Sequence, residues 1–544
     1  MSPDRSRVSF YTGPLQRTRN GPVRIAAIDI GSNSIRQIVA DVTPSGEIRV
    51  IDEMKAAPRL GAGLHHTGRL SDDAADAAIA VLSRMSDLAT HLGVKRKRAV
   101  ATSAVREAEN GAEWLARVKA QTGINVVMLN GEEEARLSFR SAQAHFDIGS
   151  GRVVIVDIGG GSMELTLSAG GLVERLTSFP FGAIRLTEKY FAKGITPSAV
   201  RKLRRFVRKR LREDLSARDW RGARVIGSGG TFTNLGGMVL ARQGMLTART
   251  VHGTPVPRAE LEHLVNSLAA LSPAERQSVQ GLNPGRSDII VAGLAVVAEV
   301  MARLETRELT VSSYGIREGI LLELARVKPE SADRGDARER SVRELAARSH
   351  VEERHARQVQ KLALRLFDSI GSRLGCSQEE RQTLSDAALL HDIGYHISYD
   401  KHHKHSYHLI SHADLLGMTP AEQVVIANVA RYHRGAEPRK SHGNFGPLTP
   451  SARDRVVRLA AILRVADGFD RGHTGAVDDI RVRWLRRALR LIAVPSPKAA
   501  SIRLELWGAS RKSGLLEQVA GVDVEIVGPD GVTLPTDDDR SRPD

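Results

Sequence analysis

The sequence predicts two α/β domains facing each other across a cleft, then an all-α domain, then a small β-rich α+β domain. Three observations predict this. One pattern occurs twice, as Arg24-Ile-Ala-Ala-Ile-Asp-Ile-Gly-Ser-Asn-Ser-Ile35 and as Arg152-Val-Val-Ile-Val-Asp-Ile-Gly-Gly-Gly-Ser-Met163, with Asp29 and Asp157 at equivalent places 128 residues apart. That offset is too long for a solenoid repeat and suits a duplicated domain. Strand-like and helix-like periods alternate after each copy, as α/β domains require. Residues 340–475, in contrast, carry only helical periodicity and most of the histidines.

Residues 1–21 are polar and basic with no apolar core, so they read as a disordered leader and not as a secretory signal. The first domain is placed at 22–148. A strand starts at 23, and the turn after Asp29 leads into a second strand. Ala-rich residues 72–91 have helical spacing, 98–102 read as a strand entering Ala101-Thr-Ser-Ala-Val-Arg106, 124–129 are β-rich, and 132–144 form a helix. The second domain is placed at 149–327. Its hairpin begins at 152, a basic helix spans 198–213, and a strand at 224–226 runs into the loop Gly227-Ser-Gly-Gly-Thr231. The most apolar run, 289–298, is half the length a membrane crossing needs and ends at Glu299, so it reads as a buried helix. Polar residues 328–336 read as a linker, 340–475 as the helical domain, 476–534 as the β-rich domain, and 535–544 as a frayed acidic tail. Strand-like alternation from 477 to 527 includes Ala500-Ser-Ile-Arg-Leu-Glu-Leu-Trp507.

With 544 residues the chain can bury several cores. A net charge of +16 attracts polyanions: nucleic acid, polyphosphate or an acidic membrane surface. The single cysteine, Cys376, rules out an internal disulfide framework and fits a reducing cytoplasm.

Each copy of the pattern is an apolar strand, an Asp, a Gly/Ser turn and a second strand. Such a turn offers backbone N–H groups and hydroxyls to phosphate, and the Asp can hold a divalent cation. One copy alone reads as an ordinary hairpin turn, but two copies facing each other would make a phosphate clamp. The Gly227–Thr231 loop opens a helix and is a further phosphate candidate, or a plain strand-to-helix turn. Glu132, Glu133 and Glu134 open a helix, where acids complement the helix dipole; one of them beside a phosphate could ready a water. Glu164 is a second such acid, and Arg106 suits bidentate pairing with phosphoryl oxygens or a surface position. The helix Arg201-Lys-Leu-Arg-Arg-Phe-Val-Arg-Lys-Arg-Leu-Arg212 repels itself, which suits either a solvated or a polyanion-binding face. In the helical domain His355, His391, Asp392 and Asp467 share faces with core residues, so mutual pairing or a shared metal must offset their burial. His403, His405, His408, His412 and His433 are further ligands or solvated histidines.

The chain resembles the exopolyphosphatase and guanosine pentaphosphate phosphatase family. The resemblance rests on Ile28-Asp-Ile-Gly-Ser-Asn-Ser34, Asn130-Gly-Glu-Glu-Glu-Ala-Arg-Leu137, Val156-Asp-Ile-Gly-Gly-Gly-Ser-Met-Glu164, Gly227–Thr231, Gly281-Leu-Asn-Pro-Gly-Arg286 and Tyr314-Gly-Ile-Arg-Glu-Gly319. The helical part resembles the family's HD-like domain, including His403-Lys-His-Ser-Tyr407 and Arg431-Tyr-His-Arg434. The resemblance implies two actin-like, sugar-kinase-like, ribonuclease H-like domains and hydrolytic removal of terminal phosphate with Mg²⁺. It implies Glu134 as the water-activating carboxylate and Glu164 as the second acid, also a metal ligand. Asp157 and Asp29 would hold Mg²⁺, and Gly159, Gly160, Gly161 and Ser162 the phosphate. Asn33, Ser34, Arg106, Gly229, Gly230 and Thr231 would be substrate contacts. The implied partner is inorganic polyphosphate or guanosine pentaphosphate, in a cytoplasmic homodimer; no membrane is expected, and nucleic acid on the 201–212 helix is the less favoured reading. The family's best-known long members have lost the HD-like metal residues, whereas His355, His391, Asp392 and Asp467 remain in this chain. Either this domain binds a second divalent metal or these residues are relics.

Overall fold

The computed structural model describes residues 22–531, apart from 45–46, 150, 217–219, 246–247, 249, 328–333, 414, 416 and 530. The predicted leader, the 535–544 tail and most of the predicted linker lie outside the described residues.

The first sheet contains β1 (Val23–Ile30), β2 (Ile35–Val42), β3 (Ile48–Ala56), β4 (Arg96–Ala101) and β5 (Val126–Met128), in the order β3-β2-β1-β4-β5. β1, β2 and β3 are antiparallel, and β4 and β5 continue parallel to β1. The second contains β6 (Arg152–Ile158), β7 (Met163–Ala169), β8 (Leu172–Phe179), β9 (Arg224–Ser228), β10 (Pro255–Pro257) and β11 (Glu308–Val311), in the order β10-β11-β9-β6-β7-β8. Read from β8, it repeats the first: three antiparallel strands, then β9 and β11 parallel to β6. The duplicated pattern is therefore a duplicated actin-like, ribonuclease H-like sheet. β1 and β6 are central in their sheets, which explains their near-continuous apolar runs. Their C-terminal ends carry Asp29 and Asp157, where open α/β sheets place ligands.

The predicted apolar helix is Ile290–Arg303, buried from Ile290 to Met301. Its one acid, Glu299, accepts from Arg204 Nε at 2.6 Å and Arg208 Nε at 2.8 Å. This explains much of the basic helix Pro197–Asp214. Val200, Leu203, Val207 and Leu211 face the core, and Glu262 and Glu299 from other helices neutralise Arg204 and Arg208. The remaining Arg201, Lys202, Arg205, Lys209 and Arg212 are exposed.

The helical part is built around Glu353–Ile370, Glu380–Leu390, Pro420–Arg431 and Pro450–Gly468. A third sheet of β12 (Val477–Trp484), β13 (Ala488–Pro495) and β14 (Asp523–Val527) follows. Residues of both belong to one continuous core, with Leu362, Leu463, Ile480 and Leu491 all fully buried in it. The strand expected around 500–507 is instead the start of helix Arg503–Arg511. Ile502, Leu506 and Ala509, spaced four and three apart, turn inward. Short apolar runs fit both periods, and packing chose the helical one. No described helix is long and apolar enough to cross a membrane.

Candidate active site and metal centre

Both hairpins make the same turn. The Gly31 amide donates to the Ser34 carbonyl at 3.1 Å, and the Gly159 amide to the Ser162 carbonyl at 3.0 Å. The register repeats as well: Asp29 lies opposite Arg36, and Asp157 opposite Glu164. The two turns meet across one cleft. A Cβ on Gly160 would lie 2.9 Å from Ser32 Cβ and 3.2 Å from the Asn33 amide nitrogen, and one on Gly161 would overlap Ser103 Oγ. Glycine is required here for space between facing loops, not for backbone freedom. Arg59 ties the two halves together, donating to both oxygens of Asp288 and to the Gly285 carbonyl.

The cleft is lined by Asp29, Asn33, Ser34, Glu134, Asp157, Gly159, Gly160, Gly161, Ser162, Glu164, Gly229 and Gly230. Of the three glutamates that open helix Gly131–His145, Glu133 closes a capping box with Asn130, Glu132 is exposed, and Glu134 is 3% exposed and turned to the cleft. A Cβ on Gly131 would overlap Ser178 Cβ, so the helix start presses tightly on β8. Arg106 Nη1 donates to Glu134 Oε1 and to the Leu129 carbonyl, each at 2.5 Å. Its guanidinium therefore braces Glu134. Asp157 Oδ2 accepts from Ser138 at 2.9 Å and Ser228 at 2.8 Å, and Glu164 Oε1 from Ser178 at 2.9 Å. Two expected substrate contacts are not in the cleft lining: Arg106, whose guanidinium is taken up by Glu134 and the Leu129 carbonyl, and Thr231. Thr231 is fully buried, and a Cβ on Gly293 of the apolar helix would lie 2.8 Å from its hydroxyl; Thr233 lines the cleft instead.

Three buried carboxylates, Glu134, Asp157 and Glu164, and the half-buried Asp29 thus share the space. Burial pushes Asp29 up to about 6 despite the nearby Arg36 and Arg317. Burial also pushes Glu164 up to about 7, against hydrogen bonds from Ser162 and Ser178. Burial first, then the charge of Glu164, holds Glu134 well above the usual carboxylate range, and burial raises Asp157. Asp29 Oδ1 and Asn33 Oδ1 are buried and find no hydrogen-bond partner among the described residues. Hard oxygen donors, mutually repelling and one orphaned, fit a divalent cation.

Facing them is a set of cations that sequence reading missed. Arg36, Arg286 and Arg317 line the cleft, and burial lowers Arg286 to about 10. Lys55 is brought down to about 8 by burial and by the charges of these three arginines. Arg286 and Arg317 sit in motifs noted above, but nothing local aims their side chains at one point.

The raised carboxylates have a consequence for stability. Between pH ~4 and ~7 the native state holds protons that the unfolded chain has released, so ion-free stability falls as pH rises through that window. For Glu164 alone the effect is on the order of 3 kcal/mol. Thermal melts should therefore show Mg²⁺ raising Tm more at pH 7.5 than at pH 5, and Glu164→Gln should remove much of the difference. An equal Mg²⁺ effect at both pH values would contradict this.

A second cluster lies in the helical part, where His355, His391, Asp392 and Asp467 meet. His355 Nε2 lies 3.3 Å from His391 Nε2, 3.7 Å from Asp392 Oδ2 and 3.6 Å from Asp467 Oδ1. His391 Nε2 lies 3.5 Å and 3.9 Å from the same two oxygens. Four donors ~2.1 Å from one ion in a tetrahedron lie about 3.4 Å apart. The other ring nitrogens are engaged, His355 Nδ1 with Asp470 at 2.8 Å and His391 Nδ1 with the Ala388 carbonyl at 2.7 Å. That leaves the two Nε2 atoms facing each other and the two carboxylates; against its burial, Asp467 and Asp470 raise His355 to about 10, so a proton occupies the centre when no ion does, and a cation can take that proton's place. His403, His405, His408 and His412 are not in this cluster.

Residues 38–327 match the model described as the Ppx/GppA phosphatase family, and residues 337–491 match that of Ppx/GppA phosphatase, domain III. Among solved structures, an exopolyphosphatase from Cytophaga hutchinsonii is 26% identical, matching 57% of this chain and 100% of its own with a TM-score of 0.52. An exopolyphosphatase-like protein is 26% identical, over 56% of this chain and 99% of its own, with a TM-score of 0.51. The Ppx/GppA family member of Aquifex aeolicus is 29% identical, over 56% and 98%, with a TM-score of 0.49.

Proposed function

The chain belongs to the Ppx/GppA phosphatase family, and on that footing we propose that it is an exopolyphosphatase, releasing terminal orthophosphate from inorganic polyphosphate. One observation carries the reading: the cleft that holds the carboxylates is also lined by Arg36, Arg286 and Arg317, whose charges reach Lys55. The cations suit a run of phosphates, and the carboxylates suit the ion and the water at its end.

In this reading the Gly159–Ser162 turn and the Gly31–Ser34 turn grip the terminal phosphoryl group from opposite sides, with Asn33 and Ser34 as further contacts. Gly229 and Gly230 hold the next phosphate beside Arg286. Asp29, Asp157 and Glu164 would hold Mg²⁺, which neutralises phosphate charge when bound. Glu134, held by Arg106, accepts a proton from the attacking water. The water oxygen bonds to the terminal phosphorus, and the bridging P–O bond breaks toward the shortened chain. The reading carries with it the cytoplasm as compartment, a homodimer as assembly, and units at 22–148, 149–327, 340–475 and 476–534. It also assigns a divalent ion to His355, His391, Asp392 and Asp467.

Orthophosphate release from long-chain polyphosphate and from guanosine pentaphosphate, compared at matched salt, tests the substrate. Polyphosphate is expected to have the higher kcat/KM, because four cations exceed what one triphosphate end engages. A higher value for the nucleotide would replace this reading with the nucleotide phosphatase.

A further inference from the structure

Behind the two facing turns lies a second cavity, of about 140 Å³, that shares a wall with the cleft. Ser32, Ser103, Gly160 and Gly161 line both spaces. The wall is thin, because the same four residues face both sides, and it is closed. A Cβ on Gly161 would lie 2.3 Å from Ser103 Oγ, and one on Gly160 2.9 Å from Ser32 Cβ. At its outer edge the cavity reaches solvent beside the exposed His65.

Helix Ala183–Phe191 carries the Gly159–Ser162 turn on its first amides. Ala183 donates to the Gly159 carbonyl at 3.0 Å, and Ile184 and Arg185 to the Gly160 carbonyl at 2.9 and 3.2 Å. The Arg185 side chain continues the series. Its Nε donates to the Gly161 carbonyl at 2.9 Å, and its Nη2 donates to Glu107 in the other half of the molecule. Glu107 in turn accepts from Ser103 Oγ at 2.7 Å. One guanidinium thus fastens the outer side of the wall across both halves. The rest of the charge there is acidic. Glu188 Oε1 accepts from the Gly63 amide at 2.8 Å, and its Oε2 is buried without a hydrogen-bond partner among the described residues. Arg185 is the one permanent cation in the lining among the described residues.

We infer that this cavity is the exit for orthophosphate, with Arg185 as the group that receives the ion and the Arg185–Glu107 pair as the bolt that holds the wall shut. The inference rests on the hydrolytic reading of the cleft. Once the bridging bond breaks, orthophosphate sits between the turns while the shortened chain still lies on the cations in front of it. That chain blocks the way the substrate came in. The wall behind offers two serines and two glycines, with no side chain longer than a hydroxymethyl group. Arg185 exchanges Glu107 for the departing dianion, because a guanidinium pairs with phosphate as it does with carboxylate. Glu107, released, and Glu188 then repel the ion toward solvent. An acidic passage with one cation suits transit and not storage. Release by this route lets the protein keep its polymer from one turnover to the next, which an exit through the front does not.

Orthophosphate added during steady-state hydrolysis of long-chain polyphosphate by the full chain tests the route. A product that leaves behind the polymer also enters behind it, so inhibition should be noncompetitive with polyphosphate. Exit through the front requires competitive inhibition. Arg185→Gln should raise the inhibition constant for orthophosphate about 10-fold, the loss of one charge-assisted bond, and Arg185→Lys should restore most of it. His65→Trp narrows the mouth from an exposed position and leaves the core untouched. In that variant free orthophosphate, followed with a fluorescent phosphate sensor, should appear about 10-fold more slowly than in wild type, while phosphate formed in acid-quenched samples of the first turnover stays within about two-fold. Strictly competitive inhibition, or release and inhibition constants unmoved in both the His65 and Arg185 variants, would overturn the inference. The cavity lies behind the terminal phosphoryl group whatever carries it, so the same measurements apply to guanosine pentaphosphate if that is the better substrate. No phosphate formed from either substrate would remove the reading of the cleft, and the exit with it.

Discussion

Glu134→Gln is expected to lower phosphate release from polyphosphate by at least 10³-fold while leaving polyphosphate affinity within a few-fold of wild type. Loss of a positioned base costs typically 10²–10⁴ in rate, so the expected drop corresponds to roughly 4 kcal/mol of barrier. Glutamine keeps the oxygen that accepts from Arg106 Nη1 at 2.5 Å, so the arginine stays in place. The same substitution should also stabilise the ion-free protein. Glu134 is buried beside Glu164, and both burial and that neighbour oppose its charge. A neutral side chain of the same shape removes the conflict, and at pH 7.5 Tm should rise by a few degrees. A catalytic residue commonly gives this signature, activity lost and stability gained. A variant that turns over normally, or one that loses activity only by unfolding, would remove Glu134 from the role proposed for it.

Gly182→Ala is expected to have the next largest effect, although Gly182 lies outside the glycine loops. Its φ of −65° is open to any residue, so conformation does not demand glycine there. Space does. An added Cβ would overlap the Gly160 carbonyl and the backbone of Gly161. Backbone cannot swing aside as a side-chain tip can, so the Gly159–Ser162 turn must move or the helix Ala183–Phe191 must retreat. Either displaces the Ala183 and Ile184 amides, which donate to the Gly159 and Gly160 carbonyls at 3.0 and 2.9 Å. Overpacking of this kind costs typically 1–3 kcal/mol. A misplacement of ~1 Å at the reacting group costs about 10²-fold in rate. Denaturant midpoint and kcat/KM should therefore fall together, with Gly182→Ser no better than alanine. Full activity in a stable Gly182→Ala protein would mean that the turn does not need this support.

Much of the cleft was legible because its parts are local. An apolar strand, an Asp and a glycine turn are contiguous, and the second copy at Asp157 singled out the first. The basic helix at 197–214 was harder. Half of its meaning lies in Glu262 and Glu299, acids far along the chain that pair with Arg204 and Arg208. Thr231 belonged by pattern to a glycine loop, but the helix it begins rotates its hydroxyl toward Gly293. His402, buried beside Asp392, passed unnoticed because a histidine next to His403 in a solvated-looking run carries no mark of burial.

The sequence by itself determined the doubled hairpin, the alternation that builds two sheets, and the buried histidines that require partners. Those follow from period, turn chemistry and the cost of burying polar groups, all of which act over a few residues. The local chemistry left three adjacent glutamates open and only the resemblance picked Glu134; the tertiary structure supplies the physical reason, because capping by Asn130 and packing on Ser178 set the rotation of the helix. The tertiary structure alone brought Arg36, Arg286 and Arg317 together and set Arg185 against Glu107. Such convergence depends on how whole elements pack, and no short stretch of chain encodes it.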